Sequence, residues 1–176
     1  MRPEGIVGFQ LWVNLPAKLK MTKPRYQDIR STDIREIKRN DGITIRVITG
    51  TVDGVRGPVT GIAADPTYLD VFVPPHTAFN YPIEREHAVF AYVFAGEARF
   101  HSKDSGEPLI SYPHLVVLGD GDSIMVATGQ NSVRLLLVSG KPLGEPIARY
   151  GPFVMNTEQE IEETLLELRQ GTFVTT

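Results

Sequence analysis

The chain contains no cysteine, which excludes disulfides, thiolate catalysis, thiolate zinc sites and iron–sulfur clusters. That absence suits a reducing compartment. No apolar run approaches the length of a membrane span. After Met1-Arg2 the chain continues Pro3-Glu4-Gly5, where a secretory leader would carry its apolar stretch. One-sided charge is also lacking: the formal net charge is -3 and the pI is near 5.8, so a general nucleic-acid binder is not expected. There is no G-x-S-x-G elbow, H-E-x-x-H pair, P-loop or G-x-G-x-x-G. These absences predict a soluble cytoplasmic protein that binds neither membrane nor nucleic acid directly.

What is present suffices for a core. The 176 residues are 41% hydrophobic and 22% charged, enough for one domain or one domain with an appendage. Gly and Pro punctuate the chain at short intervals, and the runs between them alternate with the period of a strand. "FQLWVNL" places Phe9, Leu11, Val13 and Leu15 on one face, and Pro16 ends the run. "ITIRVITG" follows the turn signal "NDG", and "TYLDVFV" puts Leu69, Val71 and Val73 opposite Tyr68, Asp70 and Phe72. "HAVFAYVFAGEARFH" reads as two strands about a tight turn at Ala95-Gly96, and "HLVVLG", "SIMVATG" and "VRLLLVSG" continue the series. Strands this short and regular predict an all-β sandwich or small barrel over about Ile43 to Gly140.

A single helix is predicted near the C-terminus. Thr157 followed by Glu160 forms a capping box, the glutamates of the first turn and Arg169 complement the dipole, and Gly171 suits the C′ position. Ile161, Leu165 and Leu168, with Leu166 beside them, form an apolar stripe predicted to pack on a sheet. Between Lys18 and Arg39 eight Lys/Arg stand against Asp28, Asp33 and Glu36. Lacking a basic helix face and aromatic interleaving, this segment reads as a solvated linker rather than a nucleic-acid patch.

Chemistry-bearing residues are sparse. "GDGDS" at Gly119–Ser123 resembles the start of a calcium loop, but the twelfth position is Asn131 rather than a bidentate Glu, so a turn before a strand is expected. His76, His87, His101 and His114 show no ligand-like spacing, and no metal site is expected from them.

Glycine-anchored short strands resemble the cupin pattern. Cupins carry G-x5-H-x-H with a Glu three or four residues later and a Gly after six more, then G-x5-P-x-G-x2-H-x3-N; three His and the Glu bind metal. Gly96 takes the closing Gly of the first motif, which puts the Glu position on Val89 and the His pair on Pro82/Glu84 or Ile83/Arg85. Gly121 and Gly129 match the second motif, with Ala127 at its Pro and Ser132 at its His. Every ligand position that the resemblance implies is occupied by another residue.

The two ends of the chain are more specific. "GFQLWVNLPAKLKMTKPRYQDI" and "GPFVMNTEQEIEETLLELR" closely resemble signature stretches of the pirin family, and the likeness runs through nearly the whole chain. Pirins are bicupins. The resemblance implies an N-terminal cupin holding iron through three His and one Glu, and a C-terminal cupin that usually has no metal. It further implies quercetin 2,3-dioxygenase activity and, in eukaryotes, nuclear transcription cofactor roles. On this basis residues 1–42 are expected to be a closing strand of the N-terminal cupin plus a linker. Residues 43–176 are then the C-terminal cupin domain, a jelly-roll barrel with its helix.

Three functions follow as alternatives. The chain is a non-catalytic cupin module that scaffolds or docks; it binds a small molecule in the barrel mouth without metal; or it belongs to a metal-dependent quercetin 2,3-dioxygenase-type enzyme. The first two are expected of this chain, with no catalytic, cofactor-binding or metal residues and no cofactor of its own, iron belonging to the N-terminal cupin. Phe9, Leu11, Trp12, Val13 and Leu15 would expose a large apolar surface, each such side chain contributing about 1.5–3 kcal/mol on burial. A homodimer through this strand, or another protein partner, is therefore expected.

Overall fold

The computed structural model describes residues 8–101 and 108–174, so residues 1–7 of the expected N-terminal segment and the side chain of His101 lie outside the described residues. The chain divides into two compact units: Arg25–Pro142, and the described parts of Met1–Pro24 with Leu143–Thr176.

Arg25–Pro142 is a curled antiparallel sheet. Its strands are β1 (Glu36–Lys38), β2 (Thr44–Thr49), β3 (Thr51–Val52), β4 (Val55–Arg56), β5 (Thr67–Val73), β6 (Ala78–Pro82), β7 (Ala88–His101), β8 (Ile110–Ser111), β9 (His114–Leu118), β10 (Ser123–Ala127) and β11 (Val133–Gly140). The main sheet runs β1-β2-β5-β11-β7-β10-β6, with β8 and β9 also on β7, and β3-β4 form a small separate hairpin.

Local sequence accounts for much of this. The Asn40-Asp41-Gly42 turn, with Gly42 at φ 84° and the Asp41 carboxylate accepting from the Ile43 N–H at 3.1 Å, joins β1 to β2. Alternation then sends Ile45, Val47, Leu69, Val71, Val73, Leu135 and Leu137 into one fully buried core. Phe79, Ile124 and Val126 from β6 and β10 close it from the opposite layer.

Two expectations for this unit change. The basic segment is not wholly linker, because Glu36–Lys38 forms an edge strand on β2. Within "HAVFAYVFAGEARFH", Ala88–His101 is one 14-residue strand rather than a hairpin. Phe94 is the extra residue where the pairing slips from Val93↔Leu135 to Ala95↔Arg134, and Gly96 at φ 70° bends the strand without reversing it. Before the bend β7 pairs with β11, and after it with β10. One strand thereby serves both layers, as a sandwich corner requires.

The second unit contains β12 (Ala148–Tyr150), β13 (Phe153–Met155), a 3-10 turn (Ala17–Leu19) and α1 (Glu158–Gln170). The predicted capping box is present: the Glu160 N–H donates to Thr157 Oγ1 at 3.2 Å, and Glu160 Oε2 accepts from the Thr157 N–H at 2.9 Å. Gly171 closes the helix in the left-handed conformation. The helix packs on the β12–β13 hairpin through Ile161 and Thr164, with Leu165 half-buried. Leu166 and Leu168, predicted to join that face, are exposed. A two-stranded hairpin is too narrow to cover a full stripe, so only the side nearest it is buried.

Phe9–Leu15 belongs to no sheet, contrary to the strand predicted there. Alternation specifies which face a strand would bury, but a strand exists only where a second backbone takes its hydrogen bonds. Hydrogen bonds instead gather at its end, at Asn14 and at Ala17 and Lys20 just beyond it. Lys20 Nζ donates to Asn14 Oδ1 and to the Val154 carbonyl, both at 2.8 Å, and the Ala17 N–H donates to Glu145 Oε2 at 2.7 Å. Trp12 is 66% exposed.

Candidate functional site

A cavity of about 750 Å³ opens at one mouth of the curled sheet in Arg25–Pro142. Two loops frame it, residues 83–87 between β6 and β7 and residues 119–122 between β9 and β10. They are fastened to one another: the Ile83 N–H donates to the Asp122 carbonyl at 2.9 Å, and Arg85 donates to Asp122 Oδ2 at 3.0 Å. Ser123 Oγ adds a donor to Asp122 Oδ1 at 3.4 Å. The hydrogen bond from Arg85, with its positive charge, holds the Asp122 carboxyl below its ordinary range.

The floor is apolar, made of Val89, Phe100 and Ile124, all buried. The rim is polar, with Glu86, His87, Asp120 and Asp122 around it and Met125 at one side. Glu86 sits at φ 69°, a left-handed position that a non-glycine residue adopts at some cost in strain. Such a concave site can enclose an apolar body while offering hydrogen-bond acceptors to its polar edge.

The motif-derived positions scatter. Ile83 and Val89 line the cavity. Ser132 lies beside Gly96, whose neighbour Glu97 donates its N–H to the Ser132 carbonyl at 3.2 Å. Seven residues of extended β7 separate Val89 from Gly96, roughly 23 Å at 3.3 Å per residue. The two halves of the cupin motif are therefore not brought to one point by these residues. Among the described residues no three His, Asp or Glu side chains converge as metal ligands, so the residues present do not fit the iron site of the fold family.

The three histidines with described side chains are equally dispersed. His76 lies in the turn before β6, its N–H donating to the Gly129 carbonyl at 2.8 Å, while His87 is beyond the far end of β6, and His114 Nδ1 contacts the Ser111 carbonyl. From sequence, His87 reads as a dispersed histidine, Asp120 as part of a turn, and Glu86 carries no motif. Their available signal was position: "EREH" and "GDGD" both stand at strand ends, and β6–β10 pairing brings those ends together through Pro82↔Ser123.

Comparison with known proteins agrees with the fold. The Pirin C-terminal cupin domain family matches residues 68–174. The chain belongs to the pirin family. A pirin-like protein from Caulobacter vibrioides is 38% identical over 94% of this chain and 58% of its own length. Pirin from Homo sapiens is 37% identical over 93% of this chain and 56% of its own length. Among solved structures, a quercetin 2,3-dioxygenase from Acinetobacter baumannii superimposes with a TM-score of 0.80 at 29% identity, covering 92% of this chain and 55% of that one. This pirin-family chain thus spans little more than half the length of those relatives. No helix among its described residues is long and apolar enough to cross a membrane.

Proposed function

We propose that this chain is a non-catalytic cupin module that binds a small, flat, hydroxyl-bearing aromatic molecule in the cavity at the sheet mouth. The observation that carries this reading is the cavity itself: about 750 Å³, apolar on Val89, Phe100 and Ile124, with carboxylates and an imidazole on the rim. That volume falls within the range of ligand pockets. The Glu86 and Asp120 carboxylates accept hydrogen bonds from hydroxyl groups, and the His87 ring donates or accepts one according to its tautomer.

A second reading makes the chain part of a quercetin 2,3-dioxygenase-type oxidoreductase, supported by the likeness to the Acinetobacter baumannii enzyme. Under that reading the residues described above hold and orient an aromatic substrate, and the redox metal belongs to another part of the assembly.

Titration of the isotope-labelled chain with quercetin, followed by NMR, tests the first reading. Shift changes should concentrate at Val89, Phe100, His87 and Ile124, and Val89→Trp, which fills the floor, should abolish them. Binding that leaves those signals unmoved refutes the assignment of the cavity. Oxygen-dependent loss of quercetin that requires both this chain and a separately supplied iron-loaded N-terminal pirin cupin favours the second reading instead.

A further inference from the structure

Strand β9 lies at an edge of the curled sheet. It pairs with Val89–Val93 of β7 and, among the described residues, with no other strand. Among the described residues, the alternate N–H and C=O groups on its other side join no ladder. Val116 and Leu118 turn inward and pack against the core, whereas Leu115 and Val117 are 58% and 75% exposed.

Proteins protect such edges with lysine, an inward charge, a bulge or a covering element. His114–Leu118 contains no Lys, Arg, Asp or Glu, and its register with β7 runs from end to end without a bulge. Pro113 and Gly119 flank the strand but lie outside it.

We propose that β9 is the pairing edge of a two-fold symmetric dimer, its occupant being β9 of a second copy of this chain. Antiparallel pairing centred on Val116 is self-complementary: Val116 meets Val116, and Leu115 of each copy meets Val117 of the other. Both exposed side chains are covered at once, and no like charges oppose one another. A foreign strand would need its own matching alternation, whereas a second copy carries it already in register. The two curled sheets become continuous through the shared ladder.

Light scattering of the full 176-residue chain over a concentration series should show the mass rising toward twice 19.5 kDa. The double variant Leu115→Lys/Val117→Lys should remain at the monomer mass. Its thermal midpoint in dilute solution should match wild type, since both positions are exposed. Amide exchange at Leu115–Val117 should slow with concentration in wild type and not in the variant. A chain that stays monomeric at every concentration overturns the proposal. So does a dimer that survives the double lysine variant, as association through Trp12 and its neighbours would.

Discussion

A Cβ added to Gly96 would lie 1.9 Å from the carbonyl oxygen of Ser132. Gly96 also holds φ 70°, and the same carbonyl accepts the N–H of Glu97. This contact marks the place where β7 leaves β11 and continues beside β10, so the two layers of the fold close through a position open only to glycine.

Gly96→Ala should therefore cost about 3 kcal/mol or more, since left-handed strain of about 1–3 kcal/mol is joined by a collision with main chain that cannot swing aside. Gly54→Ala, at φ 79° but with open space around it, should cost only about 1 kcal/mol. Urea denaturation of the two variants measures the difference. Equal losses would show that the Ser132 contact is not limiting.

Arg134 clasps Asp70 across β11 and β5, with Nε to Oδ1 at 2.9 Å and Nη2 to Oδ2 at 2.6 Å, and lies 5.2 Å from the Phe94 ring centroid. The hydrogen bonds to Asp70 hold the guanidinium pKa above its ordinary value. Arg134 remains partly open to solvent, so a double-mutant cycle with Asp70→Asn and Arg134→Gln should give a coupling of about 1 kcal/mol, shrinking in high salt. A coupling near zero would mean that the paired geometry contributes nothing.

Glu160 accepts the N–H groups of Asn156 at 2.8 Å and Thr157 at 2.9 Å, and these hydrogen bonds depress its pKa below the ordinary glutamate value. A depressed folded-state pKa contributes stability above the unfolded value, and that contribution is lost as pH falls through the folded value. Acid titration of α1, followed by far-ultraviolet circular dichroism, should show the helix weakening over that window. Glu160→Gln should remove this part of the pH dependence. An unchanged acid profile in the variant would assign the loss to other carboxylates.

The chain purified without a tag should carry well below one equivalent of iron, copper, nickel or zinc by elemental analysis. The reason is positional: Val89 and Ser132 stand where ligands are expected, yet Val89 lies near the start of β7 while Ser132 sits beside Gly96, seven residues further along that strand. One tightly held equivalent, released by His87→Ala, would make the cavity a metal site.

Much of the fold was legible from short stretches of chain. Leu69, Val71 and Val73 alternate with Tyr68, Asp70 and Phe72, and their burial follows that alternation. Thr157, Glu160 and Gly171 announce the helix and both its ends. The candidate site was far less legible. Val89 reads as an ordinary core residue, and His87 as an isolated histidine, until β6 and β10 bring the loops beside them together.

The sequence by itself determined the strands with self-contained alternation, the helix caps and the family, because each is written in residues a few positions apart. Only the tertiary structure decided that Ala95-Gly96 is a corner rather than a hairpin, that Phe9–Leu15 joins no sheet, and that α1 buries Thr164 while exposing Leu168. Those outcomes depend on which distant backbone or side chain arrives alongside. Periodicity states which face of a segment is apolar; it does not state what will cover it.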